Sequence, residues 1–328
     1  MKILITGSTG HLGEALVRTL SPQGHDIVAI DIQPSSFTTH TGTISNPTFV
    51  QECMKGVDIV LHTATLHKPH VGTHSRQEFI DTNITGTLQL LEAATANHVK
   101  AFIFTSTTSV FGDALIPPPG QPAAWITEDV MPQPKNIYGV TKTAAEDLCQ
   151  LFYRNQQLPV LILRTSRFFP ESDDNKGMRD AFADDNLKML EYLYRRVDVE
   201  DVVTAHIAAM HHAQEIGFGK YIISATTPFT QADLPLLRDH APDVIKQLYP
   251  EAAGIFAQHN WQFLPHLDRV YVNEKARREL HWQPQHDFGS LLQQLKMGQS
   301  IKSKLADIIG KKGYHSESFT EGPYPVNH

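Results

Sequence analysis

The chain has 328 residues, enough for one large domain and a lesser one, and its 41% hydrophobic content excludes a disordered protein. A formal net charge of −7 argues against nucleic acid or an anionic membrane as partner. No apolar run approaches the roughly 18 residues of a membrane span, and the strand-like start leaves no room for a signal peptide, so a cytoplasmic protein with reduced thiols at Cys53 and Cys149 is expected.

Residues 1–6 form a short apolar run ended by glycine, which reads as a buried parallel strand. A turn with Gly7, Thr9, Gly10, His11, Leu12 and Gly13 follows, and residues 14–20 carry helical apolar spacing. Strand, glycine turn and helix in that order make a phosphate cradle, because bare backbone lets a pyrophosphate approach the positive end of the helix. A second strand over 26–30 ends in Asp31, about 20 residues beyond the turn, where an acid suits the ribose hydroxyls of NAD and repels the 2′-phosphate of NADP. The spacing is Gly-x-x-Gly-x-x-Gly, and it predicts a dinucleotide site that prefers NAD.

Further strands are expected over 57–62, 100–105 and 158–163, with helices over 76–97 and 138–153. Ile80, Ile84, Leu88, Leu91 and Ala94 make the inner stripe of the first of these helices. Repeated strand–helix units predict an α/β protein: a doubly wound parallel sheet of Rossmann type with a smaller C-terminal substrate lobe. Ligands of such sheets sit beyond the carboxyl ends of the strands. Residues 63–65, 106–109 and 164–167 lie at such ends and point at one cleft.

Tyr138 and Lys142, four apart, share one face of a helix. Free tyrosine has a pKa of about 10, and a neighbouring ammonium can lower it by roughly 1–3 units. Tyr138 could then exchange a proton with an alcohol or carbonyl, which is half of what hydride transfer needs.

The motifs TGSTGHLG at 6–13, LHTA at 61–64, TSTTSVFG at 105–112 and YGVTK at 138–142 together resemble the extended short-chain dehydrogenase/reductase family. Within it the chain is similar to the NAD-dependent epimerase/dehydratase branch, with UDP-glucose 4-epimerase-like proteins as reference. VDVEDVV at 197–203 and KARRELHWQP at 275–284 extend the resemblance. It implies that Tyr138 is the acid/base, that Lys142 holds the nicotinamide ribose and tunes Tyr138, and that Thr107 bonds the reacting oxygen. It further implies cofactor contacts from Thr63, Ala64, Thr65, Asn83, Thr105 and Thr165, with Ser106 and Thr108 reaching the substrate. A homodimer joined through the helices of 76–97 and 138–153 is also implied.

The chain departs from the family pattern at Phe111, where a tyrosine is usual, at Thr43, where an acid often faces the adenine, and at His281, in place of glycine. Only 170–196 fill the place of a longer nucleotide-wrapping insert, which turns attention to small substrates such as those of uronate dehydrogenases. The substrate wall is expected from His67 and neighbouring loop residues with Arg164, Arg167, Arg179, Arg195 and Arg196, whose charges suit a carboxylate or phosphate. His62, His67, His70 and His74 lack the spacing of a ligand set, so no metal is expected. The expected division is 1–165 plus 197–225 for the NAD-binding part and 166–196 plus 226–328 for the substrate lobe and tail. The proline-rich stretch 115–122 is read as a loop over the cleft mouth, and 302–328, ending in Gly322-Pro323-Tyr324-Pro325, as an extended tail that folds back on the cleft or meets a partner chain. Three readings follow: an epimerase/dehydratase-type enzyme with no net redox change, a dehydrogenase of a small sugar, uronate or hydroxy acid that releases NADH, and a non-catalytic NAD sensor.

Overall fold

The structure is a computed structural model that describes residues 1–313 together with 315, 319, 322 and 324. In chain order it contains β1 (Lys2–Thr6), α1 (His11–Leu20), β2 (Asp26–Asp31), β3 (His40–Thr41), α2 (Pro47–Cys53) and β4 (Ile59–His62). Then come α3 (Arg76–Phe79), a π-helical turn (Ile80–Thr85), α4 (Gly86–Ala96), β5 (Ala101–Thr107), β6 (Ala124–Ile126), α5 (Ile137–Gln156) and β7 (Val160–Thr165). The remainder comprises α6 (Lys176–Ala181), α7 (Asp184–Glu191), α8 (Val199–Ile216), β8 (Phe218–Ile223), α9 (Leu234–Leu248), α10 (Ala252–Gln258), β9 (Arg269–Tyr271), α11 (Glu274–Glu279), α12 (Phe288–Lys296) and α13 (Lys304–Ile309).

Seven strands form one parallel sheet in the order β3-β2-β1-β4-β5-β7-β8. The order runs outward in both directions from the β1–β4 pair, so the crevice beyond their carboxyl ends is the topological switch point where such sheets take ligands. Strand alternation decides which helices cover which face. Ile3 and Ile5 pack with α1 and α8, whereas Leu4 packs with α4 and α5. A separate apolar cluster joins α7, α9, α10 and α12 to Val270 of β9, and β9 pairs with β6 in a second, two-stranded parallel sheet. Cys53 and Cys149 are buried free thiols. Among the described residues no helix is long and apolar enough to cross a membrane.

The helix expected over 76–97 departs from its predicted stripe. Leu91 and Ala94 are fully buried, but Ile80 is 36% exposed. The π-turn inserts a residue into the helical register and rotates everything before it relative to everything after it, which brings Asn83 inward in place of Ile80. The edge strand β3 and the β6–β9 pair, too short for a periodic signal, are additions to the expected elements. Within the tail expected over 302–328, Lys304–Ile309 form the helix α13 and are not extended, and of 322–325 only 322 and 324 are described; Pro323 and Pro325 lie outside the described residues.

Candidate active site

Gly7 N–H donates to Ile30 O at 2.8 Å, which pins the glycine turn against the end of β2. Gly7 sits at φ +73°, and Gly13 approaches it so closely that a Cβ there would lie 1.9 Å from Gly7 O. Only glycine allows this contact, and it seats the first turn of α1 beneath the bare backbone of the cradle. Asp31 closes the arrangement: its carboxylate accepts from Thr9 N (3.0 Å), Thr9 Oγ1 (2.8 Å) and Gln33 N (3.0 Å). Gly7, Thr9, Gly10, His11, Leu12, Gly13 and Asp31 all line one cleft of about 1420 Å³, larger than the usual small-ligand pocket of about 300–1,000 Å³.

The second wall follows β4. Thr63 N and Ala64 N both donate to Thr6 Oγ1 at 3.0 Å, so the Thr6 hydroxyl proton points to His62 Nδ1 at 2.8 Å, and His62 Nε2 donates to Thr87 Oγ1 at 3.0 Å. His62 is therefore a buried strut, pushed well below its ordinary pKa by desolvation. Asn83, expected to contact the cofactor, lies behind the wall. Its amide bonds Leu66 N, Leu66 O, Thr65 Oγ1 and Thr141 Oγ1 at 2.9–3.0 Å, which uses up its capacity and makes it a brace for residues 65–66. Thr63, Ala64, Thr65 and His67 face the cleft.

Thr105, Ser106, Thr107, Thr108 and Thr165, from the ends of β5 and β7, line the centre of the cleft with Tyr138. Thr107 is near enough to Tyr138 for its hydroxyl to act on the phenol. Lys142 lies one helical turn below, with Nζ 2.6 Å from Thr105 O and 4.0 Å from the Phe104 ring centroid. The expected lowering of the Tyr138 pKa is not what the structure gives. Burial raises it to about 12, with the neighbouring Thr107 hydroxyl acting the other way, because the Lys142 ammonium is directed to Thr105 O and Phe104. Burial in turn pulls Lys142 down to about 7, with the Glu146 carboxylate pulling the other way.

The hydroxyls of this centre divide by what they already bond. His206 Nδ1 lies 2.8 Å from Val202 O, which fixes its proton there, so Nε2 accepts from Thr105 Oγ1 at 2.7 Å. Ser106 Oγ donates to Glu146 at 2.6 Å and Thr165 Oγ1 to Ser106 O at 3.0 Å.

Arg164 is a correction to the expected substrate wall. It is 1% exposed and clasps Glu146 through Nη2 (2.7 Å) and Nε (3.0 Å), with its guanidinium over the Phe111 ring at 5.0 Å. An arginine at a strand end points either to the cleft or into the helix layer, and the acid at Glu146, four residues past Lys142, takes it inward. Arg167 does face the cleft, but binds Asp173 at 2.7 Å and approaches Asp174 and Glu191 at 3.9 and 3.7 Å. Arg195 and Arg196 hold Glu191 at 2.6 and 2.7 Å, and Arg179 donates to Asp173 O at 2.6 Å. Arg167, Arg195 and Arg196 are thus partly neutralised by acids of 173–191.

The far wall contains residues with no motif to mark them. His67 stacks on Phe169 at 5.3 Å and meets the Tyr138 ring edge-on at 6.5 Å. His11 Nε2 bonds Glu171 at 2.9 Å. Burial pushes the Glu171 carboxyl up, but bonds from His11 and the Lys312 N–H more than offset it and hold it at about 2. Lys312 Nζ pairs with Glu14, and His315 Nε2 donates to Pro69 O at 3.0 Å, so residues after α13 return to the cleft. Leu115 and Ile116, from the start of the proline-rich loop, line it as well. Glu146 had a sequence signal, its helical spacing from Lys142; Glu171, Arg269 and Lys312 had none.

The model of the NAD dependent epimerase/dehydratase family matches residues 3–223. Among curated proteins, the chain is 29% identical over 184 residues to an uncharacterized UDP-glucose epimerase, YtcB, of Bacillus subtilis, covering 50% of this chain and 55% of that one. The chain thus spans about half the length of the first curated relatives it matches. It is 24% identical to the UDP-glucose 4-epimerase of Lactobacillus helveticus over 88% of this chain and 93% of the relative. A short-chain dehydrogenase/reductase superfamily protein from Agrobacterium tumefaciens, solved with bound NAD, shares the fold at a TM-score of 0.64 and 20% identity, covering 90% of this chain and 96% of that one.

Proposed function

The chain belongs to the NAD dependent epimerase/dehydratase family, and on that premise we propose that it is an oxidoreductase of the sugar epimerase/dehydratase type, acting at an alcohol carbon through Thr107, Tyr138 and Lys142. The observation that carries this reading is the placement of Thr107 and Tyr138 together at the centre of the cleft, with Lys142 one helical turn behind Tyr138. What supports NAD is the cradle itself: a Cβ at Gly13 would collide with Gly7 O, and Asp31 presents a carboxylate beside the turn. Bound NAD supplies the hydride acceptor for the alcohol carbon.

The chain's own part is the proton. Tyr138 Oη gives a proton to, or takes it from, the reacting oxygen, and Thr107 Oγ1 stays bonded as that oxygen changes between alcohol and carbonyl. Burial keeps the phenol neutral, so Tyr138 is a ready donor to a carbonyl oxygen. Its place in the first turn of α5, a 20-residue helix, favours the phenolate needed in the other direction. Lys142, titrating near neutrality behind it, adds a positive charge at and below that pH.

A second reading, net dehydrogenation with release of NADH, is favoured by the short 170–196 segment and its arginines. One incubation of the protein with NAD and a panel of UDP-sugars, free sugars and uronates tests both. An isomerised product without NADH supports the epimerase; accumulating NADH with an oxidised product supports the dehydrogenase. No product from any compound would leave the NAD-sensor reading. Tyr138→Phe is expected to lower turnover at least about 100-fold, and near-normal turnover would remove Tyr138 from the mechanism.

The proposal includes the division into 1–165 plus 197–225 and 166–196 plus 226–328, supported by the separate apolar cluster of the second part. The free, buried thiols of Cys53 and Cys149 support a cytoplasmic location. Exposed Ile80, Val140 and Leu151, on the helical segment 76–96 and on α5, support a homodimer through those helices. Leu151→Glu is expected to convert a dimer to a monomer in light scattering, and an unchanged mass would place the interface elsewhere.

A further inference from the structure

The crevice between β1 and β4 has two rims, and residues after α13 tie them together. On one rim α1 carries His11 and Glu14 in its first turn; on the other, the loop after β4 carries Pro69 and His70. Lys312 Nζ pairs with Glu14. The Lys312 and Gly313 N–H groups donate to Glu171 Oε1 at 3.0 and 3.2 Å, the same oxygen that bonds His11 Nε2 at 2.9 Å. His315 Nε2 then donates to Pro69 O at 3.0 Å, with its ring edge-on to His70 at 5.5 Å. Lys312, Gly313 and His315 thus run from rim to rim, and all three line the cleft.

This bridge has a fixed root and a weak hold. Ile309, at the end of α13, is buried in the core that α1 and α8 share. Beyond it, Gly310-Lys311-Lys312-Gly313 offers no apolar side chain, and residues 311–313 are exposed. Polar contacts at an exposed surface are individually weak, and a segment without buried apolar contacts opens locally at low cost. Gly310 and Gly313 take φ +60° and +69°, a backbone that other residues adopt only with strain. Two such glycines, flanking the lysines, can absorb the rotation that a swinging segment needs.

We propose that Lys312, Gly313 and His315 form a strap across the crevice whose release gates entry and exit of the dinucleotide. The residence time of NAD is then set by this segment as well as by the cradle. The inference rests on the reading that the dinucleotide lies in the cradle, and goes beyond it: a dinucleotide seated between Asp31 and Tyr138 passes between the rims that the strap joins. A strap that bridges the rims whether the cleft is empty or filled slows both directions alike, whereas a contact to the ligand slows departure alone.

The test is stopped-flow fluorescence of NADH binding to, and release from, the full chain, its Lys312→Met variant and its His315→Ala variant. Wild type is expected to bind NADH. In both variants the association and dissociation rates should rise together by roughly fivefold, the upper range for one exposed ion pair, with Kd changed by less than about twofold. Lys312→Met also removes a positive charge near the phosphate cradle, which by itself would slow association, so faster association in that variant is specific to the strap. His315→Ala, at the opposite rim, decides the matter if the lysine variant fails to fold. Faster release without faster association would make these residues ligand contacts and overturn the gate. Binding with unchanged rates also overturns the gate and leaves the cofactor reading standing, whereas no NADH binding by wild type would overturn both.

Discussion

Replacing Arg164 by methionine separates a structural arginine from a substrate-binding one. Glu146 is fully buried, and Arg164 supplies it with charged bonds at 2.7 and 3.0 Å. Ser106 at 2.6 Å and Lys220 at 3.3 Å would remain, and Lys220 is partly exposed. Breaking a buried ion pair on one side typically costs about 3–5 kcal/mol, because a charge is left without compensation. The residual Lys220 and Ser106 contacts place this case near 3 kcal/mol, at the lower end of that range. At roughly 2 °C per kcal/mol for a chain of this size, thermal melting should fall by about 6 °C. Adding Glu146→Leu to Arg164→Met removes the stranded charge, and the double variant should recover most of the loss. Differential scanning calorimetry of wild type and the two variants reads this directly. A melting temperature unchanged in Arg164→Met, with a raised KM for substrate, would refute the reasoning and return Arg164 to the cleft wall.

At Gly13 the obstacle to a side chain is backbone only: an added Cβ would stand 1.9 Å from Gly7 O and 2.9 Å from Ser8 Cα. Gly13→Ala should therefore displace the cradle, at about 1–3 kcal/mol of overpacking, and weaken NADH binding about tenfold or more in a fluorescence titration. Gly254→Ala, where an added Cβ meets nothing within 4 Å, is the control and should leave affinity unchanged. Lys142 sets a pH dependence: the native group titrates near 7 and the unfolded one near about 10.4, so between these values the unfolded chain binds a proton that the native chain does not. Stability from this group is thus full above the upper value and lost as pH falls toward 7, with a slope of up to about 1.4 kcal/mol per pH unit. Melting temperatures of wild type should rise more steeply from pH 7 to 9 than those of Lys142→Met; parallel curves would show that Lys142 does not titrate there.

The parts of this molecule legible in its sequence are those where one physical requirement dominates a short stretch. Buried parallel strands must be apolar on both faces, so β1, β4, β5 and β7 show as continuous runs. The cradle needs glycine at fixed spacing, so Gly7 and Gly13 announce it. Arg164 could not be placed in this way, because the choice between cleft and helix layer depends on Glu146, a partner 18 residues away. His281 shows the same limit from the other side. It stands where glycine was expected and takes φ +50°, the left-handed backbone that glycine suits, so the turn is kept although its usual residue is absent. Arg269 and Lys312 reach the cleft only through tertiary folding of the lobe and of the segment after α13, and local pattern carries no trace of that.

The π-turn over Ile80–Thr85 bears on how this chain is aligned with others. A regular α-helix advances about 100° per residue, so dropping one residue from 80–85 would restore an ordinary helix but swing residues 76–79 by about that angle relative to 86–96. Asn83 would leave the peptide of Leu66, and the wall it braces would lose its support. A relative with one residue fewer in this helix therefore differs at the cleft and not merely at the surface, and a single-residue gap there marks a change in wall geometry.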